Sequence, residues 1–301
     1  MSYDFSMETD EVLISAMPEA TDASQVQILR SAGATATDSF APDTLQDAAS
    51  GDAPEVVSGY VSDNQMPEAD VETSPLATPA DDGRYTTEVI IGTDDRVRVQ
   101  ATNTWPYSVH GHMRMRFPNG RTYIGTGTMV NRHPVLTAGH CVYSAADGGW
   151  ATSVSFEAAR NGANRPFGTH FANRLLSVTG WTQHANTNYD MAMLVQATDL
   201  GQQTGWTGVI TGPDSLLNNH RVNVTGFPGD KANGTEMWTH ADAISAVAAE
   251  RFHYMIDTMG GNSGGGVYSK WQGHPGEKVG GIHTTGSQSG NGATRISRPK
   301  F

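Results

Sequence analysis

Residues 252–268 read Phe252-His253-Tyr254-Met255-Ile256, then Asp257-Thr258-Met259, then Gly260-Gly261-Asn262-Ser263-Gly264-Gly265-Gly266, then Val267-Tyr268. Five of the seven positions from 260 to 266 lack a Cβ, which opens backbone turns closed to other residues. A flexible Gly/Ser linker has the same composition. Here, however, apolar strand patterns flank the loop at Phe252–Ile256 and Val267–Tyr268, so it is embedded in a sheet. Such a loop can aim consecutive N–H groups at one point, as stabilising an oxyanion requires. A serine at its centre is nucleophilic only when a base removes its proton.

The same texture extends outward over residues 89–301. Met113, Met115 and Phe117 alternate with Arg114 and Arg116, the period of a half-buried strand. Pro118-Asn119-Gly120 supplies a turn, and Thr122–Val130 reads as the returning strand. Pro134–Thr137, Met191–Val195, Val222–Phe227 and Phe252–Ile256 are further short strands. The only helical pattern is short, around Ala241–Ala249. With 34 glycines and only 17% charged residues, the chain fits a turn-rich all-β protein of antiparallel barrels or a sandwich. No period of 20–50 residues suggests a propeller or solenoid.

Two distant motifs offer what Ser263 lacks. In Leu136-Thr137-Ala138-Gly139-His140-Cys141 an apolar strand ends in small residues and presents a histidine, a proton carrier near neutral pH. In Tyr189-Asp190-Met191-Ala192-Met193-Leu194 an aspartate opens an apolar strand. Its burial would cost several kcal/mol without a hydrogen-bond partner such as an imidazole N–H. Taken singly, a strand-end histidine and a turn aspartate are ordinary features. Together the order His140, Asp190, Ser263 is the triad order of one class of β-barrel hydrolase.

With Gly-Asn-Ser-Gly around the serine and small residues before the histidine, residues 89–301 resemble the chymotrypsin-like serine proteases, and among them the bacterial glutamyl endopeptidases. Val89-Ile90-Ile91-Gly92 looks like the mature amino terminus of that family. Gly125-Thr126-Gly127-Thr128, Gly226-Phe227-Pro228-Gly229-Asp230-Lys231 and Gly281-Ile282-His283-Thr284 also fit. The resemblance implies two antiparallel six-stranded barrels, about 89–200 and 201–301, with the active site in the cleft between them. It implies a serine endopeptidase with His140, Asp190 and Ser263 as triad and the N–H groups of Gly261 and Ser263 as oxyanion hole. Thr258, His283 and the freed amine of Val89 would bind a P1 glutamate. Asp257, six residues before Ser263, leaves a trypsin-like preference for Arg or Lys open. A non-catalytic binding homologue is the other alternative. Some members pair the cysteine after the histidine. Here Gly125 stands near the partner position, so Cys141 is expected to be free and buried. The carboxy-terminal helix common in the family is expected to be short or missing.

Charge divides the chain. Residues 1–88 hold 18 Asp/Glu and two arginines, while residues 89–301 hold 13 acidic and 17 basic residues. The first part has no tryptophan and too little apolar surface to offset its ordering entropy. Composition leaves open a disordered acidic tail, a removable prosegment or a targeting or partner-binding arm; with the resemblance, it is expected to be a largely disordered acidic prosegment, removed by a cut at Glu88-Val89. No Lys/Arg stripe suggests nucleic acid, and no run of 18 apolar residues crosses a membrane. One cysteine excludes an intramolecular disulfide and a multi-thiolate zinc site. Neither cofactor nor metal is expected, and the partners are peptide or protein substrates of a monomer. No basic leader with an apolar run is visible, so extracellular location follows from the resemblance alone.

Overall fold

A computed structural model describes residues 88–274, 276–287 and 289–297, together with the backbone of Leu13–Ile14 and Val56–Gly59. Those two short stretches add as edge strands to Gly208–Ile210 and His170–Val178. The rest of the acidic segment lies outside the described residues, and the expectation of disorder falls there. So does that of a short carboxy-terminal helix, beyond residue 297.

The body is two closed six-stranded antiparallel barrels. In the first, Ala192–Gln196, Pro134–Thr137, Thr122–Met129, His110–Arg116, Ser153–Ala158 and His170–Val178 follow one another, and the last pairs back onto the first. In the second the order is Glu277–Thr285, Gly266–Lys270, Arg221–Gly226, Trp238–Val247, Arg251–Tyr254 and Asn291–Arg295, closed by pairing of the last with Glu277–Thr285. Closure pairs the first and last strands of each barrel, and the stretches of His170–Val178 and Glu277–Thr285 that splay from a neighbour take up Val56–Gly59 and Gly208–Ile210 instead. Met113, Met115, Leu136, Phe156, Leu175 and Leu194 are fully buried in the first core. Val222, Phe252, Tyr254, Ile256 and Val267 are fully or nearly fully buried in the second. The leading residues cross over: Val97–Arg98 pairs with Trp238–Thr239 of the second barrel.

Two local expectations are corrected. Residues 241–249 are not helical. Trp238–Val247 is a strand hydrogen-bonded to Arg221–Gly226 on one side and Arg251–Tyr254 on the other, and this pairing overrides the helix preference of its alanines. The strand His110–Arg116 is buried on both faces rather than half-buried. Its second face lies between the barrels, where His112 meets the edge of Phe227 and His110 meets the ring of Tyr268.

The barrels are tied where the glycine loop meets the first barrel. Thr126 donates its N–H to the Ser263 carbonyl at 2.8 Å and its hydroxyl to the Gly261 carbonyl at 2.7 Å. The same hydroxyl accepts the Phe227 N–H at 3.1 Å. The approach is so close that a Cβ on Gly264, at φ +88°, would lie 2.1 Å from Thr137 Oγ1 and 2.3 Å from the Thr126 carbonyl oxygen. Thr126→Val keeps the side-chain shape but removes both hydroxyl bonds. It is expected to cost about 1–3 kcal/mol, read as a lower denaturant midpoint at unchanged slope. An unaltered midpoint would refute the role given to this clamp.

Candidate active site

Gly139–Cys141 forms one 3₁₀ turn at the end of the strand Pro134–Thr137 and carries His140 toward the cleft. Gly139 is needed there, because a Cβ would sit 2.7 Å from the Trp181 ring and 3.0 Å from Asp190 Oδ1. Asp190, fully buried, accepts the His140 backbone N–H at 2.9 Å through Oδ1 and meets Nδ1 at 2.7 Å through Oδ2. The carboxylate therefore fixes both the backbone and the ring, with the proton on Nδ1. Burial works against a charged imidazole. The Asp190 charge and hydrogen bond outweigh it and hold the His140 pKa well above the usual histidine range.

Ser263 lies at the tip of the glycine loop and is 6% exposed. Its hydroxyl does not meet His140. It donates instead to Glu88 Oε1 at 2.5 Å, and His140 Nε2 has no hydrogen-bond partner among the described residues. Gly261, at φ +105°, and Ser263 frame the loop's inner side; among the described residues neither N–H is engaged.

The side chain of Glu88 is buried in the pocket beside the serine. Its Oε1 lies 3.3 Å from His283 Nε2 without forming a hydrogen bond, and among the described residues neither Oε2 nor His283 Nε2 has a hydrogen-bond partner. His283, fully buried, meets the Tyr254 hydroxyl through Nδ1 at 2.6 Å. The Thr258 Oγ1 is buried without a partner among the described residues, and the Thr258 N–H reaches the Val89 carbonyl at 3.3 Å. Val89 is held at both backbone atoms by Asn291: its N–H points to Oδ1 at 3.3 Å, and its carbonyl accepts from Nδ2 at 2.8 Å. Gly286 makes room, since a Cβ there would fall 2.0 Å from Asn291 Oδ1 and 2.6 Å from the Glu88 Cα.

Asp257 is turned to other work. Oδ1 accepts the Ile91 N–H at 2.7 Å and Oδ2 the Asp95 N–H at 2.9 Å, which anchors the segment that follows Val89. Asp95, His240 and Asp257 are close enough for their donor atoms to share a cation. His240 Nδ1, however, accepts the Asp257 N–H at 2.8 Å, so its lone pair is already used. Cys141 is free and buried, and a Cβ on Gly125 would touch its sulfur at 3.1 Å.

His140 with Asp190, and Ser263 with His283, Thr258, Glu88 and Val89, were all singled out by sequence. Tyr254 and Asn291 were not, and Thr126 stood out only as part of the stretch Gly125-Thr126-Gly127-Thr128, with no role assigned to it. Tyr254 ends the strand Arg251–Tyr254 and Asn291 opens the strand Asn291–Arg295, and neither carries a local signal of function.

Comparison with known proteins agrees with this architecture. Residues 125–274 match the model of the trypsin-like peptidase domain. Over 213 residues the chain is 38% identical to an extracellular metalloprotease of Bacillus subtilis, covering 70% of this chain and 67% of that one. Over 244 residues it is 31% identical to a glutamyl endopeptidase of Bacillus licheniformis, covering 79% and 73%. A solved Glu endopeptidase in complex with MPD superposes with a TM-score of 0.61 at 25% identity, covering 70% of this chain and 94% of that one.

The His140–Asp190 pair sets a pH dependence. A folded-state pKa above the unfolded value near 6.5 stabilises the fold fully below that pH, and the contribution is lost as pH rises through the folded value. In an inert Ser263→Ala chain, the His140 ring followed by NMR is expected to titrate above about 6.5, and Asp190→Asn to bring the titration down. A His140 titration that ignores Asp190→Asn would contradict the pairing.

Proposed function

The chain belongs to the glutamyl endopeptidase family of trypsin-like serine peptidases, and from that premise we propose that it cleaves after glutamate and is made as a self-plugged zymogen. It is a serine-type endopeptidase acting on protein or peptide substrates. One observation carries the glutamate reading: a glutamate carboxylate, that of Glu88, already lies in the pocket against His283 Nε2 and the Ser263 hydroxyl. The unpartnered Thr258 Oγ1 is a further donor for such a carboxylate. The trypsin-like alternative is weakened because both Asp257 oxygens accept backbone N–H groups.

In this reading Ser263 Oγ attacks the P1 carbonyl carbon as His140 Nε2 takes its proton. Asp190 holds the ring in the competent tautomer and stabilises the imidazolium. The N–H groups of Gly261 and Ser263 receive the developing oxyanion, each worth roughly 3 kcal/mol of barrier. His140 then returns the proton to the leaving amine, and water releases the acyl group by the same route. The naming of one relative, that of Bacillus subtilis, as extracellular favours export to the cell exterior.

Val89 is tied to Asn291 and Thr258, and it is the Glu88 side chain, not its carbonyl, that meets Ser263. The chain so arranged cannot attack its own 88–89 bond. The first cut is therefore made by a second molecule, after which the new Val89 amine, mostly protonated at neutral pH, sits at the Asn291 oxygen and adds positive charge near the pocket.

Synthetic substrates ending in Glu, Asp, Gln, Arg or Phe test the specificity. Glu is expected to lead, then Asp; an Arg preference would overturn the assignment, and Ser263→Ala should abolish turnover on all of them. The lag before activity is expected to shorten as protein concentration rises, with the active species beginning at Val89. A lag independent of concentration would rule out cutting between molecules, and an active species beginning at Tyr85 would sink the glutamate reading.

A further inference from the structure

The pocket histidine has a second neighbour that the reaction above does not use. Tyr254 is fully buried on the strand Arg251–Tyr254, and its hydroxyl meets His283 Nδ1 at 2.6 Å. The two rings lie 6.0 Å apart, tilted by 34°. The His283 backbone is fixed as well: its N–H reaches the Gly265 carbonyl at 2.9 Å, and its carbonyl accepts the Gly264 N–H at 2.8 Å. The imidazole is thus locked in place, and the open question is which nitrogen carries the proton.

We propose that Tyr254 is a specificity-positioning residue: by donating its O–H to His283 Nδ1 it forces the proton onto Nε2, so that the pocket presents an N–H donor to a P1 carboxylate. The inference rests on the glutamate reading, with Glu88 standing where that carboxylate would go.

Two observations fix the direction of the bond. His283 Nδ1 is the only hydrogen-bond partner of the Tyr254 hydroxyl among the described residues. Were Nδ1–H the donor, the buried phenol proton would have no acceptor, an unsatisfied buried donor that the fold disfavours. On the other side of the ring, Nε2 lies 3.3 Å from Glu88 Oε1. The opposite tautomer would set a nitrogen lone pair against a carboxylate oxygen. Burial, with the Glu88 charge added and Arg251 opposing, keeps the phenol pKa well above its usual value, so the hydroxyl remains a donor. The arrangement repeats the logic of His140 and Asp190 with a neutral partner. There a carboxylate accepts from the imidazole and favours its cation; here a phenol donates to the imidazole and leaves it neutral but oriented.

A neutral, oriented donor suits selection by charge and shape. A P1 glutamine would present an amide NH₂ to an N–H, donor against donor, unless it turned its carbonyl inward, whereas a carboxylate accepts through either oxygen.

Two measurements test this. In the full-length Ser263→Ala chain labelled with ¹⁵N, His283 is expected to show a protonated Nε2 and a bare, hydrogen-bonded Nδ1; a protonated Nδ1 overturns the proposal outright. In protein activated from the full chain, Tyr254→Phe is expected to lower the preference for P1 Glu over P1 Gln by about tenfold to a hundredfold, through KM, with kcat on the Glu substrate changed only a few-fold. Equal losses on both substrates would mark Tyr254 as merely structural and overturn the proposal, as would an unchanged preference. If the unmutated enzyme did not prefer glutamate, the functional reading would fall, whereas the tautomer would still be decided by the nitrogen spectrum.

Discussion

The structure depends on one close contact: the loop that carries Ser263 lies directly on a strand of the other barrel. Thr126 holds the Ser263 and Gly261 carbonyls, and the loop approaches so closely that only glycine fits at position 264. The glycines are therefore required by sterics and not by flexibility. Because the clamp joins the two barrels, it also sets Ser263 relative to His140 and Asp190, whose side chains belong to the first barrel. A buried hydroxyl with two backbone partners is costly to disturb, which suits a site whose geometry has to be held within fractions of an ångström.

The same loop carries the pocket. Gly264 and Gly265 bond to the His283 backbone on both sides, so the serine and the pocket histidine move as one body. Around them the segment from Glu88 to Asp95 is pinned by Asn291, Thr258 and Asp257. The result in the uncut chain is a site whose parts are present but whose serine hydroxyl is turned to Glu88 instead of to His140 Nε2. Under the proposed mechanism, latency needs no distortion of the barrels. It needs only one carboxylate in the pocket, and its release redirects one hydroxyl.

Much of this was legible in the sequence, for identifiable reasons. The β class followed from alternation and turns, which are local. His140, Asp190 and Ser263 were picked out by three unusual local motifs whose chain order matched a known resemblance; the structure pairs His140 with Asp190 and turns the Ser263 hydroxyl to Glu88. What escaped was set by distant pairings. Residues 241–249 look helical by composition, but their partners at 221–226 and 251–254 decide otherwise. Val97–Arg98, early in the chain, joins the second barrel. Tyr254 carries no local signal, because an inward tyrosine on a strand reads as core, and its role depends on His283, 29 residues away. From its position before Val89, Glu88 was expected to precede a cut, whereas its side chain beside Ser263 and His283 had no local signal.

The central claim is that Glu88 in the uncut chain and a P1 glutamate compete for one carboxylate seat at His283. Calorimetric titration of a peptide ending in glutamate into the full-length Ser263→Ala chain, with and without Glu88→Ala, tests it most directly. The account predicts that removing the Glu88 side chain creates binding that the parent lacks, and that replacing the peptide's terminal glutamate by glutamine weakens it. Equal affinity for both chains, or for both peptides, would contradict it.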